Sequence, residues 1–238
     1  MINYGTRASL GMLLPSGNQA AEPQFNAMLP DGVALHTTRL KLKGSSDEEL
    51  MGMTDRVEEA AQLVGDAEVD LVVFHCTAVS TWDASREQSI KDRIAKASGR
   101  PVTATSEAIV AALETVGAKR IVMLSPYIDA INKREAAYFA NAGFKVLDCR
   151  GLDKATAHDM MSVTPAEWRE FALKHRNPDA DAYLLSCTTV RSAEVADALE
   201  KELGRPVVTS NTSTVWHCLR KMGIDDKIEG YGRLLREH

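Results

Sequence analysis

The chain has 238 residues, 45% hydrophobic and 26% charged, a globular balance that excludes disorder and fits one large domain or two of roughly 110–120 residues. Lys+Arg number 28 against Asp+Glu 33, a formal charge of −5 with neither sign gathered in a block, which argues against a nucleic-acid partner. The opening Met1-Ile2-Asn3-Tyr4-Gly5 lacks the basic flank and apolar core of a signal peptide, and no apolar run approaches the ~20 residues that span a bilayer. A soluble, cytoplasmic protein with no membrane partner is expected, and self-association is left open.

In chain order, Leu13-Leu14-Pro15-Ser16-Gly17-Asn18 reads as a strand running into a polar loop. Arg39-Leu40-Lys41-Leu42-Lys43 alternates as a strand with one solvated basic face. Val69 to Thr77, the run Val-Asp-Leu-Val-Val-Phe-His-Cys-Thr, is a buried strand. The helix after it has Ser85 and Gln88 spaced as a capping box, Ile90, Ile94 and Ala97 on one face, and Gly99 as its stop. Arg100-Pro101-Val102-Thr103 opens the next strand. Ser106 suits an N-cap for a helix carrying Ile109, Leu113 and Val116, with Glu107 complementing its dipole and Gly117 ending it.

The second half repeats the first. Met123-Leu124-Ser125-Pro126-Tyr127-Ile128 matches the N-terminal strand at an offset of 110. Asp181 to Thr189 is a strand ending in the same Cys-Thr, with Cys187 lying 111 residues after Cys76. Val195, Leu199 and Leu203 form a helical stripe ending at Gly204, and Arg205-Pro206-Val207-Val208 restarts the sheet. Val215, Leu219 and Met222 then precede Gly223. Strands alternating with helices predict an α/β fold of two similar parallel-sheet halves, 1–115 and 116–238, related by a pseudo-twofold axis. The final segment of each half is allowed to cross to the other.

In open parallel sheets, ligands sit beyond the carboxyl ends of the strands, where helix N-termini favour a carboxylate. Four loops meet that description: Pro15 to Asn18, Cys76 to Ser80, Ser125 to Tyr127, and Cys187 to Thr189. The four cysteines, at 76, 149, 187 and 218, form no Cys-x-x-Cys pair and have no histidine at zinc-ligand spacing, so neither a metal nor a disulfide framework is expected. A single cysteine at a strand end reads as packing; two at equivalent positions of a repeat, each followed by threonine, read as chemistry. Cys149 and Cys218 lack that symmetry and are assigned to structure. His75 adjoins Cys76 on a strand, points to the opposite face and is also read as structural. A helix N-terminus beside each strand end can lower a thiol pKa from its ordinary ~8.5; a moderate lowering is expected at Cys76, with Cys187 staying largely protonated as the proton donor.

These residues carry a resemblance. Pro15-Ser16-Gly17-Asn18 with Glu22, the segment from His36 to Lys43 followed by Glu48-Glu49-Leu50, Ser125-Pro126-Tyr127, the two Cys-bearing strand ends and the tail Gly230-Tyr231-Gly232-Arg233-Leu234-Leu235 are similar to the aspartate/glutamate racemase superfamily. Within it, they resemble the branch of maleate cis-trans isomerases and arylmalonate decarboxylases, nearer the isomerases. The resemblance implies two α/β halves around a shared cleft and cofactor-independent chemistry on a small carboxylic acid. Cys76 would be nucleophile or base and Cys187 the opposing thiol. Asn18 and Tyr127, with Ser16, Thr77, Ala78, Thr188 and Thr189, would bind substrate. Decarboxylases of this branch have glycine at the first cysteine, which this chain does not. Maleate isomerases carry an asparagine and an arginine ahead of the proline matching Pro165, where this chain reads Ala157-His158-Asp159-Met160-Met161-Ser162-Val163-Thr164.

The leading expectation is therefore cis-trans isomerisation of a small unsaturated acid, with Cys76 adding to the double bond and Cys187 handling the proton at the neighbouring carbon. The alternative is a two-base racemase using the same thiols on opposite faces of a stereocentre. An arylmalonate-type decarboxylase, or a binding protein that has lost the chemistry, stands behind both.

Overall fold

The computed structural model describes residues 3–238; Met1 and Ile2, part of the stretch read for a leader, lie outside the described residues. Among the described residues, eight strands form two parallel four-stranded sheets. The first contains β1 (Ala8–Pro15), β2 (Val33–Leu40), β3 (Leu71–Phe74) and β4 (Val102–Ala104), in the order β2-β1-β3-β4. The second contains β5 (Arg120–Ser125), β6 (Lys145–Gly151), β7 (Ala182–Leu185) and β8 (Val207–Thr209), in the order β6-β5-β7-β8. The expected α/β architecture of two similar parallel sheets is what the chain forms.

The repeat extends to single hydrogen bonds. Past the end of β3, His75 N–H donates to Leu13 O at 2.9 Å; past the end of β7, Ser186 N–H donates to Leu124 O at 2.8 Å. Val72 and Tyr183 each donate to the proline that opens the next strand, Pro101 and Pro206, at 2.9 Å. Cys76 and Cys187 therefore occupy the same place, two residues beyond the last ladder residue of an inner strand.

The inner strands are apolar on both faces because helices cover both. Side chains alternate across the pleat: Leu13, Val72 and Phe74 enter one core cluster, and Leu10, Met12, Leu14, Leu71 and Val73 the other. The helices Thr105–Thr115 and Ser210–Lys221 pack against each other and bring the two sheets together. The tail also ties distant segments: Arg7, ahead of β1, forms an ion pair with Asp226, and Arg236 with Asp197. No described helix is long and apolar enough to cross a membrane.

Local expectations fared unevenly. The helices Ala84–Ser98 and Ala196–Leu203 end at Gly99 and Gly204, both left-handed at φ +67° and +66°, where L residues are strained. The capping box at Ser85 is not formed; Asp83 caps that helix by accepting from Arg86 N–H. Ser106 lies inside its helix rather than at the cap, which is Ala104. Glu107 is held by Lys91, Lys221 and His217 from two neighbouring helices, a tertiary cluster that dipole arguments cannot foresee. The basic strand stops at Leu40, because beyond it the chain leaves the sheet to cross over the strand ends.

Candidate active site

A small cavity of about 40 Å³ lies beyond the carboxyl ends of β1, β3, β5 and β7. Cys76 and Ala78 line it from the first half, and Tyr127, Cys187, Thr188 and Thr189 from the second. Pro15 adds the end of β1, and two covering segments close it: Leu42 to Ser45 with Leu50, and Ala157 with Met160. The covers are tied down by Ala157 N–H donating to Lys43 O at 3.2 Å and Ser45 Oγ donating to Ala155 O at 2.8 Å. The ionisable lining groups are the two thiols, Tyr127 and the exposed Lys43.

Six of the nine predicted residues thus meet at one cavity; three stand behind it. Asn18 is fully buried, and its Oδ1 accepts from the N–H groups of Ala20 and Ala21 at the start of a helix. Its amide donates to Thr188 Oγ1 at 3.1 Å, so it braces a lining residue. Ser16 anchors the cover by hydrogen bonds with the backbone of Leu42. Thr77 donates to Ser210 Oγ at 2.9 Å. Asn18 and Thr77 are fully buried, so their polar groups take partners within the protein in place of water.

Ser210 was not anticipated from sequence. Its Oγ receives the Thr77 hydroxyl and the Cys187 N–H, at 2.9 and 3.0 Å, so one side chain links the two cysteine loops. The Thr209-Ser210-Asn211 run at the end of β8 was the available signal. His75 is structural as expected: its ring bonds Thr105 and Asn211, and burial pushes its pKa down to about 4. Gly151 is required by close approach, since a Cβ there would collide with Tyr127 O and the Asn132 amide.

The expected lowering of the Cys76 pKa is overturned, whereas Cys187 holds its proton as expected. Burial pushes Cys76 up to about 12, against the opposing N–H groups of Val79 and Ala78. The helix after Cys76 spans only Thr77–Ser80, too short to offset dehydration. Cys187 is likewise raised by burial to about 12, opposed by the Tyr127 hydroxyl and the Thr189 N–H, which lies 3.2 Å from its sulfur. Burial also raises Tyr127 well above its ordinary value, so it is a neutral hydroxyl donor. At neutral pH both thiols keep their protons.

Residues 10–235 match the family described as arylmalonate decarboxylase. The chain belongs to that family. The maleate isomerase of Pseudomonas putida is 26% identical over 240 residues, covering 95% of this chain and 96% of the relative. The arylmalonate decarboxylase of Bordetella bronchiseptica is 26% identical over 233 residues, covering 96% and 97%. Among solved structures, a cysteine-to-serine variant of the Nocardia farcinica maleate cis-trans isomerase, with a covalently bound succinylcysteine intermediate, superimposes with a TM-score of 0.90. It is 23% identical, and the match covers 97% of this chain and 99% of that one.

One feature of this family member is unusual for an L residue. Cys187 has φ +121°, a conformation that costs a side-chain-bearing residue roughly 1–3 kcal/mol. Its place in the loop, with N–H on Ser210 Oγ, holds it there. Cys187→Gly is accordingly expected to be more stable than Cys187→Ala by about 1 kcal/mol, since only glycine accepts that φ freely. Urea unfolding of the two variants measures the difference; equal midpoints and slopes would contradict the strain.

Proposed function

We propose that this protein is a cofactor-independent isomerase that uses Cys76 and Cys187 on a small unsaturated carboxylic acid. The observation that carries the reading is the placement of two thiols on one cavity, from equivalent ends of the two sheets. The cycle runs with one proton shared between the two sulfurs, so the resting pair, which holds two, releases one to solvent before the addition. Thiolate Cys76 adds to the double bond while Cys187 protonates the neighbouring carbon, so one C–S and one C–H bond form and the charge passes to Cys187. Rotation about the new single bond follows. Cys187 then removes the proton from that carbon, the double bond reforms in the trans geometry, and Cys76 leaves as thiolate. The succinylcysteine of the Nocardia farcinica enzyme is the species such an addition gives with maleate.

The cavity supports a narrower substrate class. Tyr127, Thr188 and Thr189 offer neutral donors to one carboxylate, whereas Pro15, Leu42, Leu50, Ala157 and Met160 form an apolar remainder, and the cationic lining residue, Lys43, is exposed and solvated. An ionised second carboxylate placed there without a partner costs several kcal/mol. The preferred substrate therefore carries one carboxylate and an uncharged far end. A panel of cis-configured acids followed by NMR in deuterated water tests this: monocarboxylates or half-esters are expected to exceed maleate in kcat/KM by at least about tenfold. Maleate as the best substrate would overturn the narrower class, and no alkene isomerised at all would overturn the reading.

The racemase reading has one observation in its favour: the two thiols are equally buried and equally raised, as exchange of roles requires. The same panel decides, because racemisation must wash deuterium into the α-carbon of a saturated acid. Decarboxylation would show as carbon dioxide from a disubstituted malonate, and a thermal shift from one acid with no turnover would mark a binding protein.

A further inference from the structure

Glu135 sits in the helix Asp129–Asn141, fully buried, outside the cavity lining and without a part in the thiol chemistry above. Its carboxyl lies between the two cysteine loops. Ser186, the residue before Cys187, donates its hydroxyl to Oε2 at 2.7 Å. Thr81, at the end of the turn that follows Cys76, places its Oγ1 3.4 Å from Oε1. The one proton of that Thr81 hydroxyl is already committed to Thr77 O, at 2.7 Å. Thr81 thus offers Oε1 a lone pair and no proton. A protonated carboxyl satisfies the arrangement, donating from Oε1 to Thr81 and accepting at Oε2 from Ser186. A carboxylate, which only accepts, would leave a buried oxygen facing another acceptor.

We propose that Glu135 is a positioning residue that works as a neutral carboxylic acid, tying the Cys76 loop to the Cys187 loop and, by staying uncharged, leaving the thiol pair free to release one proton. The ionisable groups around it are Arg134 on its own helix and Cys76, Cys187, Tyr127 and Cys149 on the surrounding strand ends. Arg134 favours the charged form of Glu135, yet burial outweighs it and raises the carboxyl to about 7. A charged Glu135 raises both cavity thiols, so its ionisation works against thiolate formation as pH increases.

The proposal rests on the two-thiol reading for its bearing on turnover, and its test uses substrate-free protein. Glu135→Gln preserves the shape, with the amide donating to Thr81 and the carbonyl accepting from Ser186. Alkylation of Cys76 by iodoacetamide, followed by peptide mass spectrometry across pH, is expected to run about tenfold faster in the variant above neutral pH, the effect of about one pKa unit. An unchanged pH–rate curve would overturn the proposal. Infrared spectroscopy of the wild-type protein gives a second readout that needs no variant: a carboxylic-acid carbonyl stretch present at slightly acid pH and titrating away near neutrality. Absence of that band would likewise overturn it. Faster alkylation in a variant whose parent turns over no acid would count against the proposed function and in favour of the role of Glu135.

Discussion

Cys76→Ala and Cys187→Ala are each expected to lower turnover by at least a few hundredfold, within the ~10²–10⁴ that a positioned acid, base or nucleophile contributes. In the isomerase cycle each sulfur acts in both directions, Cys76 adding and leaving, Cys187 giving and retaking a proton. Removal of either therefore stops the reaction and does not merely slow one step. Cys149→Ala and Cys218→Ala serve as controls and are expected to stay within about threefold of wild type, since neither sulfur reaches the cavity. Cys218 is fully buried in the helix Ser210–Lys221, so its variant should lose stability while keeping activity. Initial rates on the best acid of the panel, with melting curves for all four variants, separate the two effects. Wild-type activity in the Cys76 variant would end both thiol mechanisms.

The second large effect concerns stability against pH. Burial lowers His75 from 6.5 to about 4, so between those values the unfolded chain binds a proton that the native protein does not. Stability contributed by His75 is therefore gained as pH rises through that window, by about 3 kcal/mol. Glu135 is raised from 4.5 to about 7, so there the native protein holds a proton that the unfolded chain has released. Its contribution is full below 4.5 and falls by about 3 kcal/mol as pH rises to 7. The two windows overlap with opposite signs and largely cancel. Glu135→Gln removes one of them and is expected to unmask a rise of about 3 kcal/mol in unfolding free energy between pH 4.5 and 6.5, measured by urea titration. A variant whose profile parallels the wild type would show that Glu135 is ionised in the native protein throughout.

Much of the architecture was legible in the sequence because it is written in short-range patterns. The short apolar runs at 71–74 and 182–185, the stops at Gly99 and Gly204, and the paired prolines at 101 and 206 repeat with nearly constant spacing. From that repeat alone Cys76 and Cys187 could be matched, and equal register in two parallel sheets puts matched residues at equivalent strand ends. The roles of Asn18, Ser16 and Thr77 were less accessible. A polar residue in a strand-end loop looks the same in sequence whether it faces a ligand or completes the frame, and here the frame takes all three.

What the sequence by itself determined is the α/β fold with its internal repeat, and with it the pair of thiols, among four, that stand at equivalent strand ends. What only the tertiary structure decided is their electrical state. Glu135 follows Lys133 and Arg134 on a helix of mixed polarity and reads locally like any solvated glutamate. It becomes a buried acid because Ser186 and Thr81, 51 and 54 residues away in the chain, close around it. The thiols keep their protons for the same reason. Leu42, Leu50 and Met160, from segments far from either cysteine, exclude the water that a thiolate would need. Periodicity is local and survives in a linear string; dehydration is made by segments that meet only when the chain is folded.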